Sequence, residues 1–235
     1  MGMVFLPLAL MLALGAPQPP RPVVVELFTS EGCSSCPPAD EVLQRLESQP
    51  VPGVEVIALG FHVDYWDNLG WRDRFSDGAF TARQTAYARA FHQSSVYTPE
   101  MVVDGRSGFV GSAQGAAVDA IRDAAQRPSA PIEVKMEGAS LVIHLPEPAS
   151  LQGATLWLAI TEDGLSSDVL RGENGGRRLH HAAAVRRLQN LGRAGDSTIA
   201  IELPAAWKRE RLHAVVFAQD AKSLAILGAA SVPLK

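Results

Sequence analysis

An α/β domain, a central mixed sheet flanked by helices, followed by a small, mostly antiparallel, β-sandwich-like domain is the fold class that the sequence predicts. Three observations predict it. Strand and helix patterns alternate from Val23 to Ala125, a breaker cluster (Arg127-Pro128-Ser129-Ala130-Pro131) interrupts the chain, and short alternating apolar runs follow it. The expected domains are residues 23–127 and 131–235.

The first segment, Val4 to Ala16, is an apolar run too short to span a bilayer and suited to the core of a signal peptide, residues 1–16. That reading places the protein in the periplasm or outside the cell. A buried N-terminal element is the alternative, because no Lys or Arg precedes the run. Pro17 to Pro22 can neither propagate a helix nor donate freely to a ladder, so folding is expected to begin at Val23. Val23 to Phe28 is nearly all apolar and rich in valine, the pattern of a strand covered on both faces. Ala39, Val42, Leu43 and Leu46 then fall at helical spacing. Val54 to Phe61 repeats the strand signal, and Phe80 to Phe91 fits a second helix. Met101–Val103 and Phe109–Val110 flank Asp104-Gly105-Arg106-Ser107-Gly108, which reads as a hairpin. Val118, Ile121 and Ala125 mark a closing helix.

Beyond the breaker, Ile132, Val134 and Met136 alternate with charges and turn at Gly138–Ser140 into Leu141–Leu145. Leu156–Ile160, Ile199–Leu203, Leu212–Phe217 and Leu224–Val232 add four candidate strands. Arg171 to Arg193 holds six arginines and His180-His181 with Glu173 as its one acid; it reads as a solvated loop, with an anion or acidic-protein contact as the alternative.

The 235 residues are 47% apolar and 20% charged, enough for a sizeable core. With 21 Lys and Arg against 25 Asp and Glu, the net charge of −4 removes the electrostatic reason to expect nucleic acid as a partner. No nucleophile elbow, phosphate loop or dinucleotide fingerprint occurs in the sequence.

Only two cysteines are present, Cys33 and Cys36, set between a buried strand and a helix in Gly32-Cys33-Ser34-Ser35-Cys36-Pro37-Pro38. A sulfur at a helix N-terminus is stabilised as thiolate by the positive end of the helix. Cys33, nearer solvent, is expected to attack, and Cys36, one turn inside, to resolve the mixed disulfide. Pro37 and Pro38 are tolerated in the first turn, where their missing N–H groups have no intrahelical partner to lose. A purely structural disulfide would contribute only about 2 kcal/mol for so small a ring. The other alternative is metal binding, by Cu(I) or by zinc with histidine, although His62, His92, His144, His180, His181 and His213 lack paired ligand spacing.

Together with Thr98-Pro99 ahead of the third strand, this order resembles the thioredoxin superfamily over about Val23 to Gln126. The resemblance implies a cis-proline loop lying against the helix start, with Thr98 and Pro99 contacting an extended substrate segment. More narrowly, Glu26 to Asp40, Phe61 to Asp67, Tyr97-Thr98-Pro99 and Arg171-Gly172-Glu173-Asn174 resemble an uncharacterised family of secreted bacterial proteins, a domain of unknown function carrying the G-C-S-S-C-P-P-A-D motif. Thioredoxins have Trp before the first cysteine and Gly-Pro between the two; here Gly32 and Ser34-Ser35 stand there, which leaves the redox potential open. An ungapped match puts Leu27 where thioredoxins bury an aspartate, with Glu26 one residue away as a candidate proton shuttle.

The segment His62 to Arg74 is longer than the corresponding thioredoxin connection. Tyr65 and Trp66, with Trp71, are candidates for a peptide-binding surface, Asp64 and Asp67 adjusting local charge; the alternative is aromatics packed beneath the loop and acids capping its turn. The resulting expectation is an exported thiol-disulfide oxidoreductase with Cys33 and Cys36 as redox-active disulfide. Protein thiols or disulfides are its expected substrates, with a possible membrane redox partner and neither cofactor nor resident metal. Its rival is a periplasmic copper-binding or adaptor protein without turnover.

Overall fold

The computed structural model describes residues 20–49 and 51–234, so the expected signal peptide lies outside the described residues. The architecture is mixed α/β. Thirteen strands and three helices are described: β1 (Arg21–Thr29), α1 (Pro37–Ser48), β2 (Val54–His62), α2 (Gly78–Ala90), β3 (Glu100–Val103), β4 (Ser107–Val110), α3 (Gln114–Ala125), β5 (Glu133–Glu137), β6 (Ser140–His144), β7 (Ala154–Glu162), β8 (Leu165–Asp168), β9 (Arg178–His181), β10 (Ala184–Arg193), β11 (Ser197–Ala200), β12 (Leu212–Asp220) and β13 (Ile226–Pro233). One eight-stranded sheet has the order β13-β12-β7-β10-β2-β1-β3-β4, accompanied by a three-stranded sheet β11-β6-β5 and the β8–β9 hairpin. Within the large sheet β2 is parallel to β1 and to β10; the other pairs are antiparallel. Among the described residues no helix is long and apolar enough to cross a membrane.

Both faces of β1 are buried, as its continuous apolar run requires. Val23, Val25 and Leu27 meet α1 and α3, while Val24 and Phe28 meet Phe80 and Tyr87 of α2. A third core lies between β7, β12 and the small sheet, where Leu158, Ala214 and Val216 meet Leu141 and Ile143. Helix α2 departs from a simple amphipathic pattern: Arg83 lies on its buried face, held by both oxygens of Glu26 and by Tyr87. Two carboxylate contacts make that burial tolerable.

The segment expected to be a solvated arginine loop instead forms β9 and β10. Strand β10 sits inside the large sheet because Ala184 pairs with Gly60 on one side while the rest of the strand runs along β7. Gly60 permits this approach, since a Cβ there would stand 3.0 Å from the Ala182 carbonyl oxygen. The strands before and after Arg127–Pro131 therefore share one sheet, and the carboxyl ends of β1 and β2, where the cysteine loop starts, face the β8–β9 hairpin.

Candidate functional site

Beyond β1 the chain passes through buried Ser30, Glu31 and Gly32 to Cys33. Cys33 N–H donates to Ser30 O (3.2 Å) and Cys36 N–H to Cys33 O (3.2 Å), a tight turn that delivers Cys36 to the N-cap of α1. Cys33 and Cys36 are joined in a disulfide with a Cα–Cα distance of 5.4 Å. Pro37 and Pro38 occupy the first helical positions, so α1 offers the sulfurs its dipole but not the two N–H donors that other residues would supply there. A nearer donor is the Ser35 hydroxyl, 3.3 Å from Cys33 Sγ.

Cys33 is not the solvent-facing sulfur that the sequence predicts. Both cysteines have 0% exposure, whereas Ser34 and Ser35 between them are exposed. The cover is the tip of the β8–β9 hairpin. Asn174, itself fully buried, donates its side-chain amide to the carbonyls of Glu31 and Cys33 (2.9 Å each). Glu173 Oε2 accepts the Ser34 N–H at 3.0 Å, and that contact holds its carboxyl below the usual range. Arg177 fixes the amide orientation by donating to Asn174 Oδ1 (2.9 Å).

Behind the cysteine loop lies a buried set of ionisable groups. His62 Nδ1 meets Asp73 Oδ2 at 2.6 Å, and His181 Nε2 meets Glu31 Oε1 at 3.0 Å; the two imidazoles pack edge to face. Trp71 Nε1 donates to Glu31 Oε2 (2.7 Å), and Asp73 Oδ2 also accepts the Glu31 N–H (2.8 Å). Burial alone raises the Asp73 carboxyl, but the charge and hydrogen bond of His62 outweigh it and hold Asp73 at about 2. Burial pulls His62 down, yet Asp73 leaves it above its ordinary value, so the two form an imidazolium–carboxylate pair. Burial dominates at His181, which is lowered and stays neutral near pH 7, donating to Glu31. Burial raises Glu31, and the His181 and Trp71 hydrogen bonds more than offset it. Asp40, one turn along α1 from Cys36, is pushed up to about 7 by burial, against the pull of His62. A carboxyl there exchanges protons near neutral pH.

The Thr98–Pro99 peptide bond is cis. Gly111 lies between Pro99 and the first turn of α1: a Cβ built on it would lie 3.1 Å from Ala39 Cβ and 3.4 Å from Pro99 Cβ. Trp66 links this loop to the cysteines. Its Nε1 donates to Thr98 Oγ1 (2.8 Å), and its Cβ would be 3.1 Å from a Cβ on Gly32. Tyr65 is half-buried, donates to Gln84 Oε1 (3.3 Å), and is raised to about 12 by burial. Asp64 accepts from Thr81 (2.6 Å) and Asp67 from Ser76 (2.7 Å), so these acids fix the loop. Glu26 lies on the opposite face of β1 from Val25 and Leu27, engaged by Arg83 and Tyr87, which removes it from the cysteines as a proton shuttle.

Sequence reading did not single out Asn174, Glu31, Asp73, His62 or His181 as site residues; Glu31, His62 and Asn174 fall inside the blocks Glu26 to Asp40, Phe61 to Asp67 and Arg171 to Asn174 that carry the family resemblance, but none of these blocks has a spacing rule that assigns them a role. Among the described residues no group of three or more His, Cys, Asp or Glu is placed to hold a metal ion.

A family model described as "Protein of unknown function (DUF1223)" matches residues 24–219. Of solved structures, the chain is similar to protein AGR_C_4864 from Agrobacterium tumefaciens, with 29% identity, a TM-score of 0.72, and coverage of 94% of this chain and 97% of that one. It is also similar in fold to HBP35 of Porphyromonas gingivalis, at 16% identity and a TM-score of 0.60, over 93% of this chain and 77% of that one. No curated protein matches the chain.

Proposed function

The chain belongs to the DUF1223 family of proteins of unknown function, and from its cysteine site we propose that it exchanges disulfides with exported protein substrates through Cys33 and Cys36. We read residues 23–127 as a thioredoxin-like redox unit, with residues 131–235 as an accessory unit, and the apolar segment at residues 1–16 as the signal that exports it. One observation carries the reading: a C-x-x-C disulfide at the N-cap of a helix that follows a buried strand, with Trp66 joining its loop to Thr98-Pro99. Thr98, Pro99, Tyr65 and Trp66 form the expected substrate-facing rim.

In the oxidised protein a substrate thiolate attacks Cys33 Sγ, forming a mixed disulfide as Cys36 leaves as thiolate. A second substrate thiolate then attacks its partner sulfur, and Cys33 leaves. Two electrons pass to the Cys33–Cys36 pair, and the substrate gains the disulfide; the reverse sequence reduces it. Asp40 supplies a proton acceptor or donor for these thiols near pH 7. Because both sulfurs are fully buried, exchange requires the 169–177 tip to lift first.

Cys36→Ser tests the reading. The variant is expected to trap mixed disulfides through Cys33, seen as adducts on non-reducing gels and lost with dithiothreitol, and Asn174→Ala in the same chain should raise their yield. Absence of adducts from both the single and the double variant overturns the proposal.

A further inference from the structure

A cavity of about 450 Å3 lies at the base of the β8–β9 hairpin, away from the cysteines. Its floor is aromatic: Arg186 sits over Phe75 at 5.3 Å and over Trp207 at 4.9 Å from the ring centroids, and Arg74 sits over Phe75 at 4.6 Å. Stacking of this kind holds a guanidinium in place while its N–H edge stays available.

Four cations line the cavity, Arg74, Arg186, Lys208 and Arg211, against one acid, Glu162. Glu162 is buried and paired with Arg186, so that charge is compensated. Among the described residues the side chains of the other three have no carboxylate partner, although the Lys208 backbone N–H donates to Glu162 Oε1 (3.4 Å). Arg74 donates to Ser166 O (2.7 Å) and Arg211 to Gly164 O (3.1 Å), uses that leave most of their N–H groups uncommitted. In a chain whose net charge is −4, three uncompensated cations meet around one concave, aromatic-floored space. Like charges repel in such a space and focus a positive field into it, which an anion of two or more charges relieves.

We propose that this pocket binds a small multivalent oxyanion, taken up by the forked guanidinium edges of Arg74 and Arg211 and by the Lys208 ammonium. Guanidinium pairs carboxylate and phosphate oxygens bidentately, so both phosphate esters and polycarboxylates share the required chemistry. The site is independent of the thiol exchange proposed above.

Titration calorimetry on the full chain tests it, with pyrophosphate and citrate as the two multivalent probes and acetate as the monovalent one. One saturable site is expected for at least one multivalent probe, more than about tenfold tighter than for acetate and weakening with added salt. Saturation by pyrophosphate alone identifies a phosphate ligand, and by citrate alone a polycarboxylate. Lys208→Gln combined with Arg211→Gln should weaken binding more than about tenfold, whereas Arg122→Gln, on the solvent face of α3, should not change it. No saturable binding of either probe, or equal binding by the double variant, overturns the proposal.

Discussion

Replacing Asn174 by alanine removes two of the three hydrogen bonds that hold the hairpin tip over the disulfide, those to the Glu31 and Cys33 carbonyls at 2.9 Å each. Each such bond contributes about 1 kcal/mol net, so the closed state loses about 2 kcal/mol relative to an open one in which water rehydrates those carbonyls. At about 1.4 kcal/mol per decade, the open population rises by roughly 30-fold. With both sulfurs buried, reduction by dithiothreitol proceeds only from open molecules, and when closing is fast its rate follows their population. The assay is the pseudo-first-order rate of Cys33–Cys36 reduction in the native protein, read by thiol labelling after quench. Asn174→Ala should accelerate reduction by one to two decades, and Glu173→Ala, which loses only the Ser34 contact, by less. An Asn174→Ala protein that is folded and reduced within twofold of the wild-type rate would refute the reasoning.

Acid should weaken the fold through Asp73. Its native carboxyl sits at about 2 against an ordinary 3.8, so the folded protein takes up that proton less readily than the unfolded chain. The stabilisation is complete above pH about 4 and falls by about 2 kcal/mol as pH drops towards 2, visible in urea midpoints and absent from Asp73→Asn. His62 acts in the opposite sense: its native value is raised above 6.5, so its stability is full below pH 6.5 and is lost as pH climbs from there through the higher native value. Arg83→Leu strands the Glu26 carboxylate in the α2 core and should cost about 3–5 kcal/mol in chemical denaturation, with Glu26→Leu in the same chain recovering much of the loss; an Arg83→Leu variant as stable as wild type would disprove that account.

The start of α1, the buried β1 and the β3–β4 hairpin are legible in the sequence because their signals are local: consecutive prolines, a β-branched run, a turn-rich pentapeptide. Strand β10 is not, since its register slips between Val185 and Arg187 and again between Asn190 and Gly192, which erases the period of two. Arg83 reads as one more polar residue on α2, because the acid that compensates it lies 57 positions away. At the site the cysteines, Thr98-Pro99 and the Trp66 loop stand out in the sequence as motifs and as an unusually long connection, but the cover does not. Asn174 bonds Cys33 across 141 residues, and such pairings leave no spacing to read. The expected exposure of Cys33 fails for the same reason: what lies above a residue is decided by a distant segment.

The hydrogen bonds that seal the sulfurs reach back 141 and 143 residues, so they can form only after the ribosome has passed Asn174. During that interval the nascent cysteines stand open to whatever oxidant or thiol surrounds the emerging chain. Bond formation between them is thereby allowed early, and access is withdrawn late, by the order in which the polypeptide is made.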